Sequence, residues 1–301
     1  MKQLLLLALI AAGAWAQTFS AAADLDAVTL QAIKDGYMPG AVILVGHNGK
    51  VVFKKAYGDR ALVPAKEAAT VDTIYDVASL TKVVATTPAM MKLVETGRVR
   101  LDDPVTAYLP EFQGGTSDIT VRDLMIHFSG LRPDLDLEPV WSGYETGIKK
   151  ALADKPADPR GAKFVYSDIN FELLGEIVRR VSGKPLDEFV QEQIYRPLGM
   201  KDTTFRPPAA WVNRIAPTEI DATTGKPLRG VVHDPTARYM GGVAGHAGVF
   251  STADDLAIYA QMFLDMGRRG NTRIFAPAAP RFPAPPTGRT RSQFCAGSSL
   301  R

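Results

Sequence analysis

Apolar residues at Leu25, Val28 and Ile33 recur at helical spacing and end at Gly36, which predicts a first helix. In "AVILVGHNGKVVFKKAYG" two apolar runs flank His47-Asn48-Gly49-Lys50, and Asn-Gly between such runs predicts a β-hairpin. From Asp76 the pattern becomes apolar nearly all round, with Val83, Val84, Met90, Met91, Leu93 and Val94, so a long buried helix stopping at Gly97 is expected. A proline-punctuated loop, "LDDPVTAYLPEF", follows. Thr120 and Asp123 then have the spacing of a helix start, as do Thr252 and Asp255. "INFELLGEIVRRVSG" and "LDEFVQEQIYRPLGM" complete the helical patterns. No internal repeat or sustained heptad is present, so segments with strand character flank a helical middle.

Composition changes this picture at the two ends. The 301 residues are 46% hydrophobic and 22% charged, an ordinary globular balance. Residues 1–16 combine Lys2, the apolar run Leu4 to Ala12 and Ala14-Trp15-Ala16, the form of a secretory signal peptide, which implies a periplasmic or secreted protein without stable membrane insertion after cleavage. From Met266 onward there are seven arginines and no acids, which leaves 28 basic against 32 acidic residues elsewhere. A mildly acidic body argues against nucleic acid as a partner. Residues 276–301 are rich in proline and arginine and poor in branched apolar residues, so disorder is expected there. Cys295 is the single cysteine and has no internal partner.

The candidate chemistry centres on Ser79 and Lys82 in "SLTK". Positions three apart share a helix face, and an amine in an apolar site becomes available as the neutral base that a serine nucleophile requires. Free N–H groups at the helix start can stabilise a developing oxyanion. Taken alone, the motif reads equally as a capped helix with a snorkelling lysine. Tyr166 in "YSD" is similarly open between a core ring and a proton-transfer group.

Taken together, "DVASLTK", "ITVRDLMIHFSGL", "YSDINFELLGEIV", "YRPLGM" and "GGVAGHAGVFSTADDLA" resemble, in order, blocks of the serine β-lactamase and penicillin-binding-protein superfamily. The likeness is closest to class C lactamase-like hydrolases, which include esterases and D-amino-acid peptidases. The resemblance implies an α+β fold, with an antiparallel sheet flanked by helices plus an all-helical lobe, in a hydrolase domain over residues 17–275. It implies Ser79 as acyl-forming nucleophile, Lys82 as its proton acceptor and Tyr166 as the proton shuttle. Substrates would be esters, amides or peptidoglycan-like D-peptides, with a β-lactamase proper as the less favoured alternative, and no cofactor.

Two departures qualify the resemblance. Asp168 stands where such lactamases usually carry Asn, and a carboxylate cannot donate as an amide does, which weighs against lactam recognition. The pattern also breaks off near Ile274, before the family's Lys-Thr-Gly or His-Thr-Gly strand. The chain is accordingly expected to be truncated or frame-shifted, with C-terminal strands missing and activity impaired. His246-Ala247-Gly248 superficially matches that third motif, although its neighbours resemble an earlier glycine-rich block; Asp168 and His246 are the candidate substrate contacts. None of the four histidines has paired metal-ligand spacing, so no metal site is expected; His127 and the Met90-Met91 pair read as core. "GGVAGHAG" lacks the spacing of a phosphate loop.

Overall fold

A computed structural model describes residues 19–114 and 118–277. The expected leader, and the tail beyond Pro277, lie outside the described residues. The described residues form two compact units, divided between Val71 and Asp72.

In the first unit, α1 (Ala22–Lys34) precedes a three-stranded antiparallel sheet of β1 (Gly40–His47), β2 (Lys50–Ala61) and β3 (Glu67–Ala68), in that order. The hairpin turns where the dipeptide predicts. Asn48 (φ 49°) and Gly49 (φ 73°) are both left-handed, the geometry that matches strand twist in a two-residue turn, and His47 pairs with Lys50.

The second unit begins with β4 (Tyr75–Asp76) and a single 3-10 turn, Ala78–Leu80. The long helix expected from Asp76 is divided. A π-helical turn spans Lys82–Thr86, and only then does α2 (Thr87–Glu95) run to its stop before Gly97 (φ 69°). Pro88, in the first turn of α2, has no N–H to offer the Val84 carbonyl, and the Tyr195 hydroxyl donates to that oxygen instead at 3.1 Å. The widened turn likewise leaves the Val83 carbonyl to the Tyr259 hydroxyl at 2.5 Å.

Next come α3 (Val121–Met125), α4 (Tyr144–Ala153), α5 (Asp168–Ser182), α6 (Leu186–Val190) and α7 (Arg196–Leu198). The start of α3 is a full capping box: the Asp123 N–H donates to Thr120 Oγ1 at 3.2 Å and the Thr120 N–H to Asp123 Oδ2 at 2.8 Å. Helix α5 is the hub, packed against α2, α3, α4 and α6. Its Ile169, Leu173, Leu174 and Ile177 are wholly buried in one cluster with Met90, Leu93 and Leu124. Each such side chain contributes about 1.5–3 kcal/mol through burial.

The remaining elements are β5 (Thr204–Phe205), α8 (Pro235–Tyr239), β6 (Val249–Ser251), α9 (Ala253–Leu264) and a short hairpin, β7 (Arg268–Arg269) with β8 (Thr272–Arg273). Thr252 caps α9, accepting from the Asp255 N–H at 3.3 Å. Strands β4, β6 and β5 form a second antiparallel sheet with β6 in the middle, so Phe250 pairs with both Asp76 and Thr204. These strands are only two or three residues long. Proline at 207 and 208 cannot continue β5, and Gly248 before β6 holds φ 125° against the Gly242 carbonyl.

Candidate active site

The route to Ser79 starts in the short sheet. The Val77 N–H donates to the Val249 carbonyl at 2.9 Å, and Asp76 Oδ1 accepts from the Ala78 N–H at 2.8 Å. Between them Ala78 takes φ 46°, a left-handed conformation that costs a non-glycine residue about 1–3 kcal/mol. This sharp turn leaves Ser79 exposed at the beginning of the helical segment.

Lys82 lies one turn on and is 3% exposed. Its Nζ donates to Ser79 Oγ at 3.0 Å and to the His246 carbonyl at 3.3 Å. The same nitrogen is 2.6 Å from Asp168 Oδ1, and this ion pair corrects the expectation of an apolar setting for the amine. It also lies 4.7 Å from the centre of the Tyr166 ring and 5.7 Å from that of Phe171. Tyr166 is half exposed, its ring 4.6 Å from that of His127. No hydrogen bond joins its hydroxyl to Ser79 or Lys82 among the described residues, so the ring rather than the oxygen meets the cation.

Asp168 is the first residue of α5, where the helix dipole favours a carboxylate, and Ser167 caps that helix. His246 departs from its expected place among substrate contacts. Its side chain has no exposed surface, so it reaches no ligand directly. The reason is a close approach of two backbones: a Cβ on Gly245 would stand 1.8 Å from the Phe171 carbonyl oxygen of α5, so only glycine allows the loop so near. Thr86 Oγ1 donates to the Gly245 carbonyl at 2.6 Å and fixes the loop from the other side. The ring of His246 therefore meets Asp234 Oδ1 through Nε2 at 2.9 Å and faces Glu172 Oε1 from Nδ1 at 3.6 Å.

This interior cluster perturbs its members strongly. Burial alone would discharge His246, yet Asp234, Glu172 and Asp168 outweigh it and raise the ring to about 9. Burial pushes Glu172 up to about 8 against the pull of the neighbouring His246 charge. Burial opposes the charge on Asp234 too, but His246 holds it below the usual carboxylate range. His127 is driven down to about 4 by burial and by the Lys82 charge. Its neutral Nδ1 accepts from the Ser167 N–H at 3.1 Å and places its proton on Nε2.

Sequence reading missed Glu172, Asp234 and the strained Ala78. Glu172 had a legible signal, being one turn after Asp168 on the same face of an apolar helix. Asp168, Asp234 and His246 offer ligand atoms all within 4.8 Å of one another, the one group among the described residues with metal-binding proximity. The charges of Lys82 and His246 already meet these carboxylates, so the donor set suits an ion-pair network better than a divalent cation.

Comparison with known proteins places this geometry. The family model described as Beta-lactamase matches residues 18–295, further in both directions than the motif blocks extend. A protein of Escherichia coli K12 named "Putative D-alanyl-D-alanine carboxypeptidase" is 33% identical over 286 residues, covering 84% of this chain and 66% of that protein. The chain thus spans just under two thirds of the length of such relatives. Among solved structures, a penicillin-binding protein homologue from Pyrococcus abyssi aligns with TM-score 0.70 at 28% identity, over 86% of this chain and 58% of the other. A class C β-lactamase from Rhodobacter sphaeroides aligns with TM-score 0.68 at 25% identity, over 85% and 68%. With a serine and a lysine in contact at the start of a buried helix and a tyrosine beside them, in a fold shared with these proteins, the chain belongs to the β-lactamase family of serine hydrolases.

Proposed function

We propose that this chain is an exported serine hydrolase that turns over ester, amide or D-peptide substrates through an acyl-enzyme on Ser79. The observation that carries the reading is the 3.0 Å contact between Lys82 Nζ and Ser79 Oγ, with the Tyr166 ring against the same nitrogen. In the acylation step Ser79 Oγ bonds to the substrate carbonyl carbon and its proton passes to the neutral amine of Lys82. The Ser79 N–H is the donor offered to the developing oxyanion, since the N–H groups of Val77, Ala78 and Leu80 are taken by Val249, Asp76 and Val77. The tetrahedral intermediate collapses with loss of the alcohol or amine, which takes its proton from Lys82 by way of the Tyr166 hydroxyl. Water then attacks the ester by the same route in reverse, releasing the acid and restoring Ser79.

One observation favours a second reading, a penicillin-binding-like remnant that acylates without turnover. The Tyr166 hydroxyl, which would relay the proton for the deacylating water, makes no hydrogen bond to Ser79 or Lys82 among the described residues, so the Ser79–Lys82 contact serves acylation without a built route for deacylation. Incubation with a fluorophosphonate or a fluorescent penicillin separates the two. A hydrolase forms an adduct on Ser79 and releases product from p-nitrophenyl esters or D-alanyl-D-alanine peptides. A remnant forms the adduct alone, and an unlabelled Ser79 overturns both. Export is checked by the N-terminus of the mature protein, expected at Gln17.

A further inference from the structure

The proposed reaction poses a charge problem. The base must lose a proton, yet it sits 2.6 Å from a carboxylate that favours keeping it. A second cation lies against the same group of acids. His246 is fully buried, its Nε2 2.9 Å from Asp234, and Asp168, Asp234 and His246 converge within 4.8 Å. The groups that face His246 come from several elements: Lys82, at its carbonyl, from the helical turn after Ser79, Asp168 and Glu172 from α5, Asp234 from the cap of α8, and Asp134 from the loop before α4. Asp134 is itself held by Thr236 Oγ1 at 3.1 and 3.2 Å.

We infer that His246 is a positioning residue that sets the charge of Lys82: held as an imidazolium by Asp234, it offsets Asp168 and frees the lysine to act as base, while its carbonyl oxygen orients the amine. The inference rests on the assignment of Ser79 and Lys82 above. Counting charges gives its logic. With His246 charged, loss of the Lys82 proton leaves the group of Lys82, Asp168, Asp234 and His246 at −1. Without that charge the same step leaves −2, and the acids then hold the ammonium in place. Asp134 stands outside this group; counted as a carboxylate it lowers both totals by one, as an ionised Glu172 does, and leaves the difference made by His246 unchanged.

The test compares the full chain with H246Q, D168N and the double variant H246Q/D168N, reading the rate of fluorophosphonate labelling of Ser79 from pH 5 to 10. Glutamine keeps a donor toward Asp234 and removes only the charge. H246Q is expected to label about 100-fold more slowly at pH 7, with its rise in rate displaced about two pH units upward. Neutralising Asp168 in that background should recover most of the loss. A merely structural role would lower the rate without moving the pH dependence and without rescue by D168N, and either result overturns the inference. Where H246Q does not fold, nitrogen NMR of the wild-type chain decides, because only four histidines are present. Both ring nitrogens of His246 should carry protons at pH 7, and a neutral ring overturns the proposal. A wild-type chain with no adduct on Ser79 overturns the nucleophile assignment and this inference together, whereas normal labelling of H246Q overturns this inference alone.

Discussion

At the scale of single residues, the site is a short chain of contacts in which each group has one task. Ser79 is held out by the strained turn at Ala78, and Lys82 reaches it from within the fold. Serine-to-alanine substitution at 79 should abolish the covalent adduct, and K82A should slow its formation by about 100-fold or more, as expected when a general base is lost. The Tyr166→Phe substitution keeps the ring that lies beside Lys82 and His127 and removes only the hydroxyl. Ester turnover should fall by about 100-fold or more while the melting temperature stays unchanged, a combination read by steady-state kinetics and calorimetry. The Ser79–Lys82 pair was legible in the sequence because three residues bring two side chains to one helical face. The Lys82–Asp168 ion pair was not, since Asp168 lies 86 positions away and nothing in a linear pattern shows which way its carboxylate turns.

At the scale of elements, caps and turns carried the clearest sequence signals because their physics is local. Thr120 and Asp123 satisfy each other's backbone donors within one turn, and T120A should cost about 1 kcal/mol, measured by denaturant unfolding. Interruptions were less legible. The division of the long segment after Ser79 depends on hydroxyls from Tyr195 and Tyr259, residues remote in sequence that take over the carbonyls of Val84 and Val83. Gly245 shows the same limit. Nothing adjacent to it demands glycine, yet α5 passes so close that G245A must push the loop away. The expected result is a loss of about 1–3 kcal/mol in unfolding free energy and slower labelling of Ser79, because the carbonyl that holds Lys82 moves with the loop.

For the whole molecule, the interior acids and His246 tie stability to pH. Glu172 is raised from 4.5 to about 8 and His246 from 6.5 to about 9. A group that binds its proton more tightly when folded supplies stability below its unfolded value and loses it as pH climbs to the folded one. Both groups therefore weaken the fold as pH climbs, while His127, lowered from 6.5 to about 4, strengthens it up to about pH 6.5 and offsets Glu172 there, so the melting temperature should decline between about pH 6.5 and 9. E172Q, which keeps the volume and removes the titration, should flatten the lower part of that decline and raise the melting temperature at pH 8; an unchanged slope would contradict the assignment. Among the described residues no helix is long and apolar enough to cross a membrane. The chain by itself determined what acts over a few residues: the hairpin at Asn48-Gly49, the helix caps, and the approach of Lys82 to Ser79. Only the tertiary structure decided the charge environment of that lysine and the burial of His246, because both depend on the crossing of α5 with a loop some seventy residues further on, where backbone distance and desolvation, not sequence spacing, set which groups meet.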